Sequence, residues 1–207
     1  MEIKPEGMEK TAWIIHWDIP SEGFKFLKPT DKDSPAEKTI KSAMFNKIAS
    51  VRLQSANKLY ELGLPSSNSV LLVPNTVIEQ EIDNIIASIE EQYKNMNKML
   101  VASGLLEIGQ PFIRKVPIVK FQFTIFKEMA ERKLMERLDE SLTHLAKKIN
   151  ELVTLEEDKK KQHAARYKNE IKDIEEMREM AKKLGIVADD KFDLLNTMFK
   201  KAISVVS

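Results

Sequence analysis

The sequence predicts an α+β fold: an α-β sandwich over residues 11–126, then a helical, coiled-coil-like region over 127–207. Three observations carry this. Up to residue 126, short strand-patterned apolar runs alternate with two long helix-patterned segments. From Lys127 to Leu184 there is no glycine or proline, and charge dominates. Across that stretch Leu134, Leu138, Leu142, Leu145, Ile149 and Leu152 keep a three-to-four spacing, as do Tyr167, Ile171, Ile174, Met177, Ala181 and Leu184.

Composition agrees with a folded chain. The 33 Lys+Arg nearly cancel 32 Asp+Glu, and 43% of the 207 residues are hydrophobic, which argues against disorder. The absence of cysteine excludes disulfides, thiolate metal sites and cysteine nucleophiles. No apolar run approaches the roughly 20 residues of a membrane span. Met1–Lys10 is too polar for a signal peptide, so the expectation is a cytoplasmic protein with no membrane partner.

The elements follow in order. Thr11–Pro20 reads as a strand, with Trp13, Ile15, Trp17 and Ile19 on one face and Ala12, Ile14, His16 and Asp18 on the other. Phe24, Phe26 and Leu27 should fold the polar loop Ser21–Asp33 over the core. Ser34-Pro35-Ala36-Glu37 is a capping box with proline at the first helical position. The helix should reach Leu62 on a stripe of Ile40, Met44, Ile48, Val51, Leu59 and Leu62, with Gly63 as a left-handed stop. Asn68–Pro74 suits a buried central strand. Thr76–Glu79 offers a second capping box for a helix that ends before Gly104. Leu105–Ile108 and Phe112–Ile113 suggest an edge strand turning at Gly109-Gln-Pro111. Val119, Phe121, Phe123 and Ile125 alternate with Lys120, Gln122 and Thr124, which predicts a half-buried strand.

An unbroken helix over Lys127–Leu184 would be about 85 Å long. A hairpin of two helices is preferred, because Thr154-Leu-Glu-Glu157 forms a third capping box that restarts a helix. Asp190–Val206 is amphipathic through Phe192, Leu195, Met198, Phe199 and Ala202, and should pack back on the long helices or on a partner.

Candidate chemistry is sparse. His16 and Asp18 share a strand face and are the candidate metal ligands, although a half-buried polar pair at a sheet edge or interface is the favoured reading, since a site needs more than two convergent ligands. His144 and His163 read as solvated. No HExxH, phosphate-binding glycine loop or nucleophile elbow is present, so hydrolase and nucleotide chemistry is disfavoured, and no cofactor is implied. Lys38, Lys41, Lys47, Arg52 and Lys58 on the first helix are opposed only by Glu37 and Glu61. With Lys159, Lys160 and Lys161 they are the candidate phosphate contacts for DNA.

The order of motifs resembles the N-terminal domain of the chromate-resistance ChrB family. The residues concerned begin with a strand ending in proline (Trp13-Ile-Ile-His-Trp-Asp-Ile-Pro20) and a basic helix closing on Lys58-Leu-Tyr-Glu-Leu-Gly63. The strand Ser69-Val-Leu-Leu-Val-Pro-Asn-Thr76 and the acidic helix Glu79–Tyr93 follow. An apolar run ending Thr124-Ile-Phe126, a long charged helix and the basic return helix Arg166–Met177 extend the resemblance to residues 11–185. More distantly, the first strand is similar to ferredoxin-like domains of phenylacetate-pathway repressors and of CRISPR-associated nucleases. The resemblance implies a ferredoxin-like fold and a non-enzymatic regulatory or DNA-associated role, with a homodimer formed through the helical stripes. The nuclease likeness implies an alternative, a metal-dependent phosphodiesterase using Asp18. A third reading is a structural protein–protein interaction module acting through its long helices.

Overall fold

A computed structural model describes residues 10–20, 26–152 and 156–206. In chain order the elements are β1 (Lys10–Asp18), α1 (Pro35–Tyr60), β2 (Leu64–Ser67), β3 (Val70–Pro74), α2 (Glu79–Ala102), β4 (Phe112–Val119), α3 (Lys120–Leu152), α4 (Glu157–Lys183) and α5 (Asp189–Val206). The strands form one four-stranded antiparallel sheet in the order β2-β3-β1-β4. The chain divides into two compact units: Lys10–Gly63 with Ser69–Ile118, and Leu64–Asn68 with Val119 onward.

In the first unit β1 pairs antiparallel with β3, Trp13 opposite Val73 and Ile15 opposite Leu71. These four side chains bury against Ile48, Val51 and Leu59 of α1 and Ile82, Ile89, Tyr93, Met96 and Leu100 of α2. The alternation read from the sequence therefore names the correct helix-covered face. Ala12, Ile14 and Leu72, which point the other way, are buried as well. Of the loop aromatics, Phe26 packs on the core and Leu27 is buried, whereas Phe24 lies outside the described residues.

The α1 capping box forms as expected: Glu37 N donates to Ser34 Oγ (3.3 Å) and Ser34 N donates to Glu37 Oε2 (2.7 Å). Gly63 corrects the sequence reading, because among the described residues only Gly104 and Gly185 have positive φ. Its requirement is steric instead, since a Cβ there would sit 2.1 Å from the carbonyl oxygen of Leu72. The chain leaves α1 not into a loop but into β2, a strand the sequence reading missed, with Pro65 inside it. Thr76 does not cap α2 either; Ile78 is the N-cap and makes no side-chain cap bond.

Helix α2 ends in a Schellman motif at Gly104 (φ +72°), where Leu105 N donates to Leu100 O and Gly104 N to Val101 O. The segment Leu105–Ile108 is not a strand. Its end is held by Asn97, whose side chain accepts from Ile108 N and donates to Ile108 O, both at 2.9 Å and both buried. Lys115 on β4 bridges Glu79 and Asp83, one turn apart on α2, at 2.8 and 2.5 Å.

The strand expected from Val119 to Ile125 is helix: α3 begins at Lys120, and Gln122 Oε1 accepts from Val119 N (3.1 Å). Alternating apolar residues favour a strand only if they have a flat face to bury; here Phe121 remains 74% exposed, so the pattern misleads. In this second unit α3 and α4 are separate helices, since Glu156 has extended backbone at the N-cap (φ −64°, ψ 149°). The expected cap residues Thr154 and Leu155 lie outside the described residues, and Glu156 makes no side-chain cap bond. Gly185 (φ +67°) closes α4 in a second Schellman motif, with Ile186 N donating to Ala181 O.

Helix α5 then packs back on both α3 and α4. It buries Phe192, Leu195, Phe199 and Ala202. Arg178 fixes the turn by bonding Asp189 and Asp193, and Lys191 reaches Asp139 of α3 at 2.5 Å. Leu134, Leu138, Leu145, Leu152, Tyr167, Ile174, Ala181 and Leu184 are buried within the chain. The stripes read as a homodimer seam thus form the interior of one chain's helical unit.

Candidate functional site

The sequence-predicted site residues are not brought into one constellation. His16 is half-buried opposite Val70, and Asp18 is exposed at the end of β1. Among the described residues no group of three or more His, Asp or Glu side chains is placed to hold a metal ion.

The basic residues of α1 fall on two flanks. At 100° per residue, Lys41 and Arg52 lie on one side of the buried stripe, and Lys47 and Lys58 on the other. Lys41 is paired with Asp33 at 2.6 Å, and Lys58 donates to Ser88 of α2 at 2.7 Å. The outward face between the flanks carries one charge, the partly buried Lys38 of the first turns, and is otherwise uncharged: Thr39, Ser42, Asn46, Ala49, Leu53 and Asn57 are exposed there. The basic surplus is therefore divided rather than one-sided. On α4, Lys159 pairs with Glu156 at 3.2 Å, Lys160 is partly buried and Lys161 is exposed.

What the fold does assemble is a groove of about 430 Å³ in the helical unit. Because α5 packs on one side of α3 and α4, Leu195 and Phe199 of α5 form part of the lining, together with Leu138 and Leu145 of α3. From α4 come Tyr167, Ile174 and Met177. An aromatic ladder runs through it: His163 to Tyr167 at 5.8 Å between ring centroids, and Tyr167 to Phe199 at 5.6 Å. The remaining lining is polar, with Arg137, Glu140, Ser141, His144 and Lys148 on α3 facing His163, Arg166, Glu170 and Asp173 on α4.

The polar groups are unevenly satisfied. Lys148 donates to Glu151 and Arg166 Nε to Glu170, each at 2.6 Å. The bond to Glu170 holds the Arg166 guanidinium above its ordinary pKa, and the bond from Lys148 holds Glu151 below the usual carboxylate value. Burial pushes the Tyr167 hydroxyl upward, so it is neutral at pH 7. His163 Nδ1 is buried with no hydrogen-bond partner among the described residues.

His144 and His163 had been assigned to solvated faces. His144 is indeed exposed, but His163 is partly buried in the groove. The missed signal was that His163 precedes Tyr167 by four residues, which places it on the apolar stripe of α4. No family model, curated protein or solved structure was found to match the chain.

Proposed function

We propose that this protein is a non-enzymatic binding module whose recognition surface is the groove between α3 and α4. The observation that carries the reading is the combination of volume and lining: about 430 Å³, an apolar floor, and polar groups from two helices facing one another. Small-molecule sites are commonly concave, mostly apolar and about 300–1,000 Å³, with a few polar groups that set orientation. The interaction-module reading of the long helices thus acquires a definite surface. The divided, partly paired lysines of α1 give DNA binding less support.

The ferredoxin-like reading of residues 11–126 is supported by the element order β-α-β-β-α-β and the strand order β2-β3-β1-β4. The resemblance to the ChrB N-terminal domain agrees with a regulatory role.

The test is titration of the full chain with Nile red, a neutral apolar fluorophore. Ser141 lines the groove and is only partly buried, so Ser141→Trp fills the space without removing core. We expect saturable binding, weakened at least tenfold by Ser141→Trp with the circular dichroism unchanged, and unaffected by a Lys41→Ala/Lys47→Ala/Arg52→Ala triple variant. Binding that ignores Ser141→Trp overturns the reading. Salt-dependent binding of duplex DNA, abolished by Lys159→Ala/Lys161→Ala, would replace it with the DNA-associated alternative.

A further inference from the structure

We infer that the groove takes a slender amphiphilic anion, a free single-chain carboxylate or its chemical equivalent, with its head group at the end formed by His144, Lys148, His163 and Arg166. This rests on the groove being the recognition surface, and it goes further by naming the ligand class and its orientation.

The apolar lining sets the form of the occupant. The lining spans Arg137 to Lys148 on α3 and His163 to Met177 on α4, about 16–21 Å at 1.5 Å per residue. Leu138 and Leu145 of α3, Tyr167 and Ile174 of α4, and Leu195 and Phe199 of α5 make an apolar strip along it, on which an extended single acyl chain can lie.

Hydrogen-bonding capacity selects the head group and its place. Arg166 donates its Nε–H to Glu170 and Lys148 donates to Glu151; a guanidinium has five N–H groups and an ammonium three, so each side chain has more donors than that one bond uses. Among the described residues His163 Nδ1 has no hydrogen-bond partner, and buried polar atoms ordinarily have one. Spare donors at one end suit an oxyanion, which accepts several hydrogen bonds at once. The other end sets Glu140 and Asp173 against a single cation, Arg137, whereas Lys148 and Arg166 are opposed in the lining only by Glu170, so the lining charge favours an anion at the His144–Arg166 end. The tail then lies along the apolar floor, where each buried methylene contributes about 0.8 kcal/mol.

The test compares three ligands with a common ten-carbon chain, decanoate, decanol and decyltrimethylammonium, by calorimetry on the full chain below their critical micelle concentrations. We expect one decanoate per chain, bound at least tenfold more tightly than decyltrimethylammonium. Lys148→Gln/Arg166→Gln, at a partly buried and an exposed position, should erase that preference while leaving decanol affinity unchanged. Ser141→Trp should weaken all three. Equal affinity for all head groups would overturn the anion inference but leave the groove as the binding surface. Failure of every decyl compound while Nile red still binds in a Ser141-dependent manner would overturn the slender amphiphile alone. If Ser141→Trp changed neither series, both readings would fall. Co-sedimentation with anionic phospholipid vesicles without decanoate binding would assign the donors to a membrane headgroup and contradict the free ligand.

Discussion

Replacing Asn97 with leucine tests how the chain after α2 is held. Asn97 is buried, and its side-chain amide satisfies both the N–H and the C=O of Ile108, itself buried. Leucine has nearly the same shape and neither hydrogen-bonding group. The variant leaves two buried backbone groups unpaired, each costing about 1–3 kcal/mol. Together that is about 2–6 kcal/mol, and the apolar side chain offsets about 1–2 kcal/mol of it. The net destabilisation should be about 1–4 kcal/mol. Urea unfolding followed by circular dichroism should show a lower midpoint, with amide exchange locating the change: Ile108 N–H is protected in the parent and should exchange freely in Asn97→Leu. A variant within about 0.5 kcal/mol of the parent, or unchanged protection at Ile108, would refute the reasoning.

Three further outcomes follow from the same geometry. Gly63→Ala should be far more damaging than Gly104→Ala, because a Cβ at 63 meets the Leu72 carbonyl at 2.1 Å, whereas Gly104 has open space and only its positive φ. Thermal melts should show a loss of about 1 kcal/mol at 104 and outright failure to fold at 63. Tyr93 should titrate at about 12, because burial disfavours its phenolate, despite the opposing influence of Arg52. Its folded pKa is raised, so the associated stability is present below the ordinary value of 10.0 and is lost as pH rises through about 12. Ultraviolet titration of parent against Tyr93→Phe should show this, and an ordinary midpoint would contradict it. Asp33, held down to about 2 mainly by its hydrogen bond from Lys41, should contribute stability above its ordinary 3.8 and lose it as pH falls through about 2. Lys41→Met should return the carboxyl midpoint toward 3.8 in a carbon-13 titration, and an unmoved midpoint would show that Lys41 is not the cause.

Much of the fold was legible where local chemistry acts alone. The Ser34–Glu37 box, the inward face of β1 and the amphipathic α5 needed no tertiary information, since capping and periodicity are properties of a few neighbouring residues. The errors arose where distant residues decide. Gly63 looks like a helix stop in sequence, but its constraint is set by the backbone of Leu72, on β3. Val119–Ile125 has strand periodicity, yet the segment continues into a 33-residue helix. Leu64–Ser67 is too short and too rich in proline and serine to announce itself, and becomes a strand by joining a sheet. The groove was invisible for a similar reason. Its lining comes from three helices, and nothing local to His163 reveals that Phe199 will stand beyond Tyr167. The stripes that carry Leu138, Leu145, Tyr167 and Ile174 are visible as periodicity, but periodicity alone does not say that these four bury within one chain's helical unit, on which α5 packs.

Methyl chemical-shift mapping with decanoate tests the central claim most directly, because it reports where a ligand sits as well as whether it binds. With isoleucine and leucine methyls labelled, the account predicts saturable shifts and ligand contacts at Leu138, Leu145, Ile174 and Leu195, with Ile15, Ile48, Leu71 and Ile89 of the sheet-bearing unit unmoved. Shifts centred on those sheet-unit methyls, or none at any methyl when decanoate is saturating in calorimetry, would contradict it.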